Sequence, residues 1–168
     1  MILIMNFLFY ISAFIAVIST VLVITRTNAV HALLYLIVSL LAVALIFFTL
    51  GAPFVAALEV IIYAGAIMVL FIFVIMMLNL GGSHAKDEAL LLSPGIWRGP
   101  SLLAMVLTIE LIYLLTRERD RIAASVEITP KHVGIALFGP YVLGVELASM
   151  LLLAGLVGAY HLGRQHRH

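Results

Sequence analysis

Five stretches of this chain are each apolar for about 20 residues, the length that crosses a bilayer's hydrocarbon core as a helix. Nothing else in the sequence constrains its folding as strongly. The run from Ile2 to Ile24 contains no charged residue. Inside hydrocarbon every backbone N–H and C=O must be satisfied within the protein, which leaves helices or closed barrels. These runs are continuous and do not alternate, so they read as helices. The composition agrees, with 65% of residues hydrophobic and 10% charged, against roughly half and a quarter in soluble domains. The expected fold is all-α, an integral membrane protein with five transmembrane helices.

The expected spans are about 2–24, 32–50, 53–80, 96–116 and 138–162, within a single membrane domain over 1–168. Thr25-Arg26-Thr27-Asn28 breaks the first from the second. Gly51-Ala52-Pro53 is a tight turn, and Pro53 suits the opening position of the third helix, where its missing N–H does no harm. Gly81-Gly82-Ser83 stops that helix. Trp97 and Arg98 read as interfacial anchors of the fourth span, with Tyr113 near its other end. The first apolar stretch is too long for a leader's core and lacks a basic segment before it, so it reads as a span.

Several function classes drop out. There is no cysteine, so thiolate chemistry and cysteine-held zinc or iron–sulfur clusters are excluded within this chain. A formal net charge of +1 gives no basic surface for nucleic acid. No Gly-rich phosphate loop follows a strand, and the polar segments are too short for a nucleotide-binding domain. A bundle with so little outside the bilayer reads as one subunit of a larger membrane assembly. With the N-terminus outside, inner segments carry Arg26, Lys86, Arg98, Arg164 and Arg167, against Arg117, Arg119, Arg121 and Lys131 outside. The positive-inside rule favours that orientation by a narrow margin.

Three acids fall inside spans: Glu59, Glu110 and Glu146. An ionisable group at membrane depth usually faces a protein interior or a water path. Glu59 and Tyr63 are four apart and share one helix face. The phenol is placed to donate to the carboxylate or to share a water with it. Two readings stand side by side, a proton-path residue and a satisfied polar contact that fixes packing. Gly65, between Ala64 and Ala66, allows close helix approach and eases a local kink or π-bulge. A helix over 53–80 would measure roughly 40 Å at about 1.5 Å per residue, longer than the ~30 Å core. Tilt, protrusion or distortion must absorb the excess, and an irregularity is expected between about Tyr63 and Phe71.

The other polar residues read more plainly. Glu146 and Gly155 lie along a small-residue stripe of the fifth span, with Ala148, Ser149, Ala154, Gly158 and Ala159, and fit a partner-helix contact. Glu110 is expected to snorkel towards water from near the end of its span. His31 is expected to serve as a cap or hydrogen-bonding residue, and Asn79 to bind carbonyls at the end of the third helix. His161, His166 and His168 are too scattered for a site, so no metal is assigned.

Val30-His31-Ala32-Leu33-Leu34-Tyr35-Leu36, the run from Leu58-Glu59 through Tyr63-Ala64-Gly65-Ala66-Ile67-Met68-Val69-Leu70-Phe71, and Met76-Met77-Leu78-Asn79-Leu80-Gly81-Gly82 resemble the subunit J family of bacterial proton-pumping NADH–quinone oxidoreductases, respiratory complex I. Leu137-Phe138-Gly139-Pro140-Tyr141 and Val145-Glu146 through Gly155-Leu156-Val157 extend the likeness over most of the chain. The resemblance implies a five-helix subunit of the membrane arm, near the quinone-reactive end. It implies neighbouring membrane subunits and lipid as partners, in the bacterial inner membrane, with the N-terminus outside and the C-terminus cytoplasmic. FMN, iron–sulfur clusters and the NADH site would belong to other subunits, leaving this chain without a cofactor. The family's third helix carries a π-bulge that switches to regular helix and links quinone chemistry to the proton path. The matching positions here are Glu59, Tyr63, Gly65 and the residues up to Phe71.

The chain departs from the family in three places. Asn28-Ala29 stands where Asn-Pro is common, and His84 where an acid is common. Glu110 and the charged stretch Thr116 to Arg121 look peculiar to this chain. Besides the pump subunit, two readings remain open at this point. One is an accessory membrane subunit of a multisubunit cation–proton antiporter. The other is a packing subunit with no part in proton movement.

Overall fold

The computed structural model describes residues 2–78, 94–117 and 128–163, which are helical apart from short connections and include no strand. Five helices are long and apolar enough to cross a membrane: Leu3–Thr25, Ala29–Thr49, Pro53–Met77, Trp97–Thr116 and Val142–Gly163. The chain divides into two compact units, Met1–Glu127 and Ile128–His168.

In the first unit, α1 (Ile2–Thr25) and α2 (Ala29–Thr49) form a helical hairpin. Asn28 makes the corner. Its side-chain oxygen accepts from the backbone N–H of Val30 at 3.0 Å and of His31 at 3.1 Å. That cap starts α2 three residues earlier than the expected 32, because it satisfies donors that would otherwise face a non-polar boundary. The cap is therefore Asn28, whereas His31 contributes only its backbone N–H.

The turn after α2 is as expected. Gly51 adopts φ +82°, a conformation that glycine reaches without penalty. Pro53 then opens α3 (Pro53–Leu58). A π-helical segment follows at Glu59–Ile67, and α4 (Met68–Leu78) completes the span. Asn79, the Gly81-Gly82-Ser83 stop and His84 lie outside the described residues, as do Glu118 to Arg121 of the charged stretch.

The fourth span is α5 (Pro94–Arg117), with Pro100 inside it. α2 is the central helix of this unit, and α1, α3, the π segment, α4 and α5 all pack on it. The core joins Leu8, Ile15 and Ala16 of α1, Val38, Ala42 and Leu45 of α2, and Leu107 and Leu114 of α5. Ser12, Ala16 and Ser19 fall on one face of α1, and all three are buried. Such small residues let helices approach closely. Polar links reinforce the seam. The hydroxyls of Thr20 and Ser39 lie 2.9 Å apart, and Ser39 donates to the Ala16 carbonyl at 3.2 Å.

Glu110 corrects a sequence expectation. It does not snorkel; it is 4% exposed, and Ser12 Oγ donates to its Oε1 at 2.8 Å. The reason is helical register. Leu107 and Leu114, at i−3 and i+4, are buried too, so Glu110 shares the face that α5 turns to the core.

The second unit differs from the expected single fifth span over 138–162. It holds α6 (Pro130–Phe138), a break at Gly139-Pro140-Tyr141, and α7 (Val142–Gly163). Pro140 cannot donate to a helical ladder, and its ring crowds the preceding turn. The Tyr141 N–H bonds instead to the Ala136 carbonyl at 3.1 Å. Helix α6 itself falls in sequence that hydropathy alone assigns to a connection.

The Ser12–Glu110 bond generates a prediction. Ser12→Ala leaves Glu110 Oε1 without a donor and should lower the stability of the solubilised subunit by about 1–3 kcal/mol. Adding Glu110→Leu should restore most of that loss, because no buried polar group is then stranded. Thermal melts of the two variants and the parent check this, and a further loss in the double variant contradicts it.

Candidate functional site

The third span carries the residues singled out in the sequence, and its backbone changes pitch where they sit. On entry the ladder is α-helical: the Glu59 N–H reaches the Ala56 and Val55 carbonyls, three and four residues back. On exit the Met68 N–H reaches Tyr63, five residues back, as well as Gly65. The nine residues Glu59–Ile67 form the π-helix. Its start lies four residues before the expected Tyr63, and it closes at Ile67 instead of Phe71.

The local sequence suits that geometry. Val60-Ile61-Ile62 is a β-branched run with restricted side-chain rotamers and reduced preference for the α-helix. Gly65 fits the wider turn directly. A Cβ at Gly65 would stand 3.1 Å from the Val60 carbonyl oxygen, five residues back. Alanine there would force that carbonyl to give by a few tenths of an ångström. Ala64 and Gly65 are half-buried while Ile61, Ile62, Tyr63 and Ile67 are exposed. Met68 ends the segment and is 1% exposed, among the most buried side chains of the chain.

Glu59 is half-buried at the first position of the π segment. Tyr63 is 50% exposed. Among the described residues the two make no hydrogen bond to each other, so the direct phenol–carboxylate contact that the spacing permits is not formed. The structure places Glu59, Tyr63 and Gly65 on one irregular segment. Glu146 and Gly155 lie on α7 in the other unit. Glu146 is exposed, and a Cβ built on Gly155 meets nothing within 4 Å.

An apolar cleft of about 280 Å³ borders the start of the π segment. Phe48 of α2, Ala56 and Ala57 of α3, Val60 of the π segment, and Leu107 and Leu111 of α5 help to line it. Thr108 adds no free hydroxyl, because its Oγ1 donates to the Ala104 carbonyl at 2.8 Å.

Sequence reasoning missed two features of this unit. One is the Ser12–Glu110 pair, whose signal was present in the Ser12, Ala16, Ser19 spacing and in an acid standing between Leu107 and Leu114. The other is Met68 as the plug after the π segment, which a uniformly apolar sequence conceals. No group of three or more His, Asp or Glu side chains among the described residues stands where it would hold a metal ion.

The model of the family NADH-ubiquinone/plastoquinone oxidoreductase chain 6 matches residues 19–162. A Pseudomonas aeruginosa protein named NADH-quinone oxidoreductase subunit J is 60% identical over 96% of this chain and 98% of its own length. The Escherichia coli strain K12 protein of the same name is 57% identical over 97% of this chain and 89% of its own. A Buchnera aphidicola relative, also of that name, is 39% identical over 97% of this chain and its own full length. With the family model covering most of the chain and these relatives aligned nearly end to end, the chain belongs to the family of NADH-quinone oxidoreductase subunit J, the chain 6 family.

Proposed function

We propose that this protein is a membrane-arm subunit of a proton-translocating NADH–quinone oxidoreductase, and that its third span helps couple quinone reduction to proton movement. The observation that carries the reading is the π-helix at Glu59–Ile67, which contains Glu59, Tyr63 and Gly65. A π turn holds one more residue per ring than an α turn and is enriched at functional sites. Conversion to α-helix rotates everything on one side of it relative to the other. That rotation moves Glu59 relative to the segment beyond Met68 and redistributes the exposed side chains between them. The cleft beside Val60 supplies space for it.

The chemistry assigned to this chain is positional. It holds no redox group; FMN, iron–sulfur clusters and quinone belong to neighbouring subunits, so the chain is non-catalytic by itself. Glu59 serves as a protonatable or water-ordering group, Tyr63 as its hydroxyl neighbour and Gly65 as the residue that makes both helix forms accessible. Glu146 and the Gly155 stripe serve a partner-helix contact. The N-terminus lies outside and the C-terminus in the cytoplasm of a bacterial inner membrane. Purification separates this reading from the antiporter alternative, since NADH oxidation and flavin accompany only the former.

Three tests follow from these assignments. In Glu59→Gln the volume and a hydrogen-bonding group remain while the titratable proton is lost. The assembled complex should form, with protons moved per electron pair, or turnover tightly linked to them, clearly reduced; Tyr63→Phe should do less. Unchanged stoichiometry and turnover across the pH range would return Glu59 to a packing role. Gly65→Ala should favour the α form, by crowding the Val60 carbonyl and by the roughly 1 kcal/mol helix preference of alanine over glycine. A regular ladder through 59–67 with impaired coupling is the expected result, read from the variant's structure and its pumping. For topology, single cysteines at positions 83 and 125 should label from opposite membrane faces, and labelling from one face defeats the five-span orientation.

A further inference from the structure

The proposed coupling role leaves one buried acid unused. Glu110 lies within the fourth span and inside the core of the first unit. Described side chains close it in. Ser12, its partner on α1, is fully buried. Leu8, one turn before Ser12, and Leu107 and Leu114, on Glu110's own face, are buried too. The two carboxyl oxygens stand in different situations. Oε1 accepts from Ser12 Oγ at 2.8 Å. Oε2 is buried and has no hydrogen-bond partner.

Among the described residues, the helices packed around this carboxyl bring no cation to it. α1 has no charged residue. α2 has no acid, lysine or arginine; its titratable groups are His31 and Tyr35, whereas its residues in this core are Val38, Ala42 and Leu45. On α5, Arg98 and Arg117 stand twelve and seven residues away, roughly 18 and 10 Å along the axis. Tyr113 packs on the same core, and a phenol supplies no positive charge.

An ionised carboxylate offers about four acceptor sites, and here one hydroxyl serves it. A buried charge that is neither paired nor well hydrogen-bonded is costly enough that the group neutralises instead. The neutral acid has smaller needs, a carbonyl oxygen that accepts and one hydroxyl that donates. Oε1, bound by Ser12, suits the carbonyl, which leaves the proton to Oε2. One unpaired hydroxyl is a far lighter burden than an unpaired charge.

We infer that Glu110 is a permanent proton-binding site of this chain, a neutral carboxylic acid with its proton on Oε2 and Ser12 bound to Oε1, which keeps that proton while the assembly works. In this form it joins α5 to α1 without placing a charge in the core. The site is separate from Glu59 and does not depend on the role of the third span.

Infrared difference spectroscopy of the assembled complex tests the assignment. The parent minus Glu110→Gln spectrum should show one carboxylic-acid C=O band at neutral pH and no carboxylate bands. Ser12→Ala should move that band to higher wavenumber, because the carbonyl loses its hydrogen bond. Deuterated buffer should shift it only slowly, since the site is closed. The band should also persist when turnover is started with NADH. Glu110→Gln, a neutral group of the same size, should assemble in parental yield. Should it not assemble, Glu110→Leu supplies the reference spectrum and the same band decides. Carboxylate bands in place of the acid band overturn the site and would point to a cation paired with Glu110 in the complex. Loss of the acid band during turnover would make Glu110 a proton-exchanging residue and overturn its permanence. The spectrum at rest decides the protonation state whatever the assembly oxidises, so failure of the NADH-linked function and failure of this site are told apart.

Discussion

A helix surrounded by hydrocarbon cannot leave backbone donors and acceptors unpaired, because no water is present to accept them. This constraint decides what form an irregularity in the third span can take. A broken helix would strand several groups at membrane depth. A π turn alters pitch and facing while keeping the ladder bonded, as the Met68 N–H to Tyr63 carbonyl bond shows. Where the chain does break, at Gly139-Pro140-Tyr141, the Tyr141 N–H is bonded to the Ala136 carbonyl. The sequence places the irregular backbone and the acid at the same point. Glu59 opens the π segment, so any change of pitch moves an ionisable group.

The same demand for internal partners separates Glu110 from Glu59. Glu110 is enclosed by the core and bound to Ser12. Its face of α5 is held by Leu107 and Leu114, and a rigid seam of small residues lies beneath it. Glu59 is half-buried, opens the π segment and has no hydrogen bond among the described residues. A carboxyl whose surroundings are fixed contributes to one packing arrangement. A carboxyl whose surroundings change between two backbone states can differ in proton affinity between them. That contrast is why the proposed coupling role is assigned to Glu59 and not to Glu110.

The bundle was legible in the sequence because hydropathy reports burial in hydrocarbon directly. The span edges were less so. The start of α2 depends on one Asn28 side chain reaching two N–H groups, a contact that no hydropathy window registers. Hydropathy carries the fifth span through Pro140, although proline's missing donor argues for a break there. Glu59, Tyr63 and Gly65 were legible as a group through their spacing and their family resemblance. The side-chain pairing of Glu59 with Tyr63 was not, because helical spacing brings two residues to one face without fixing either rotamer. Distance from a helix end suggests a snorkelling Glu110, whereas helical face, marked by the buried Leu107 and Leu114, puts it in the core.

A switch in the third span needs two helix forms separated by a small free-energy gap. Taking such an equilibrium from 1:99 to 99:1 requires about 5.5 kcal/mol of differential interaction. The residues at the segment bear on the size of that gap. Each form bonds nearly every backbone group, so the conversion exchanges hydrogen bonds and does not abandon them. Gly65 removes the Cβ that would press on the Val60 carbonyl in the π form, and glycine is also a weak α former, by about 1 kcal/mol relative to alanine. Both effects lean towards π. Met68 opposes free sliding, since its buried side chain pins the first residue beyond the segment. The cleft at Val60 relieves crowding on the other side. In the proposed switch, a segment built this way favours the π form, and straightening it falls to differential contacts from outside the span.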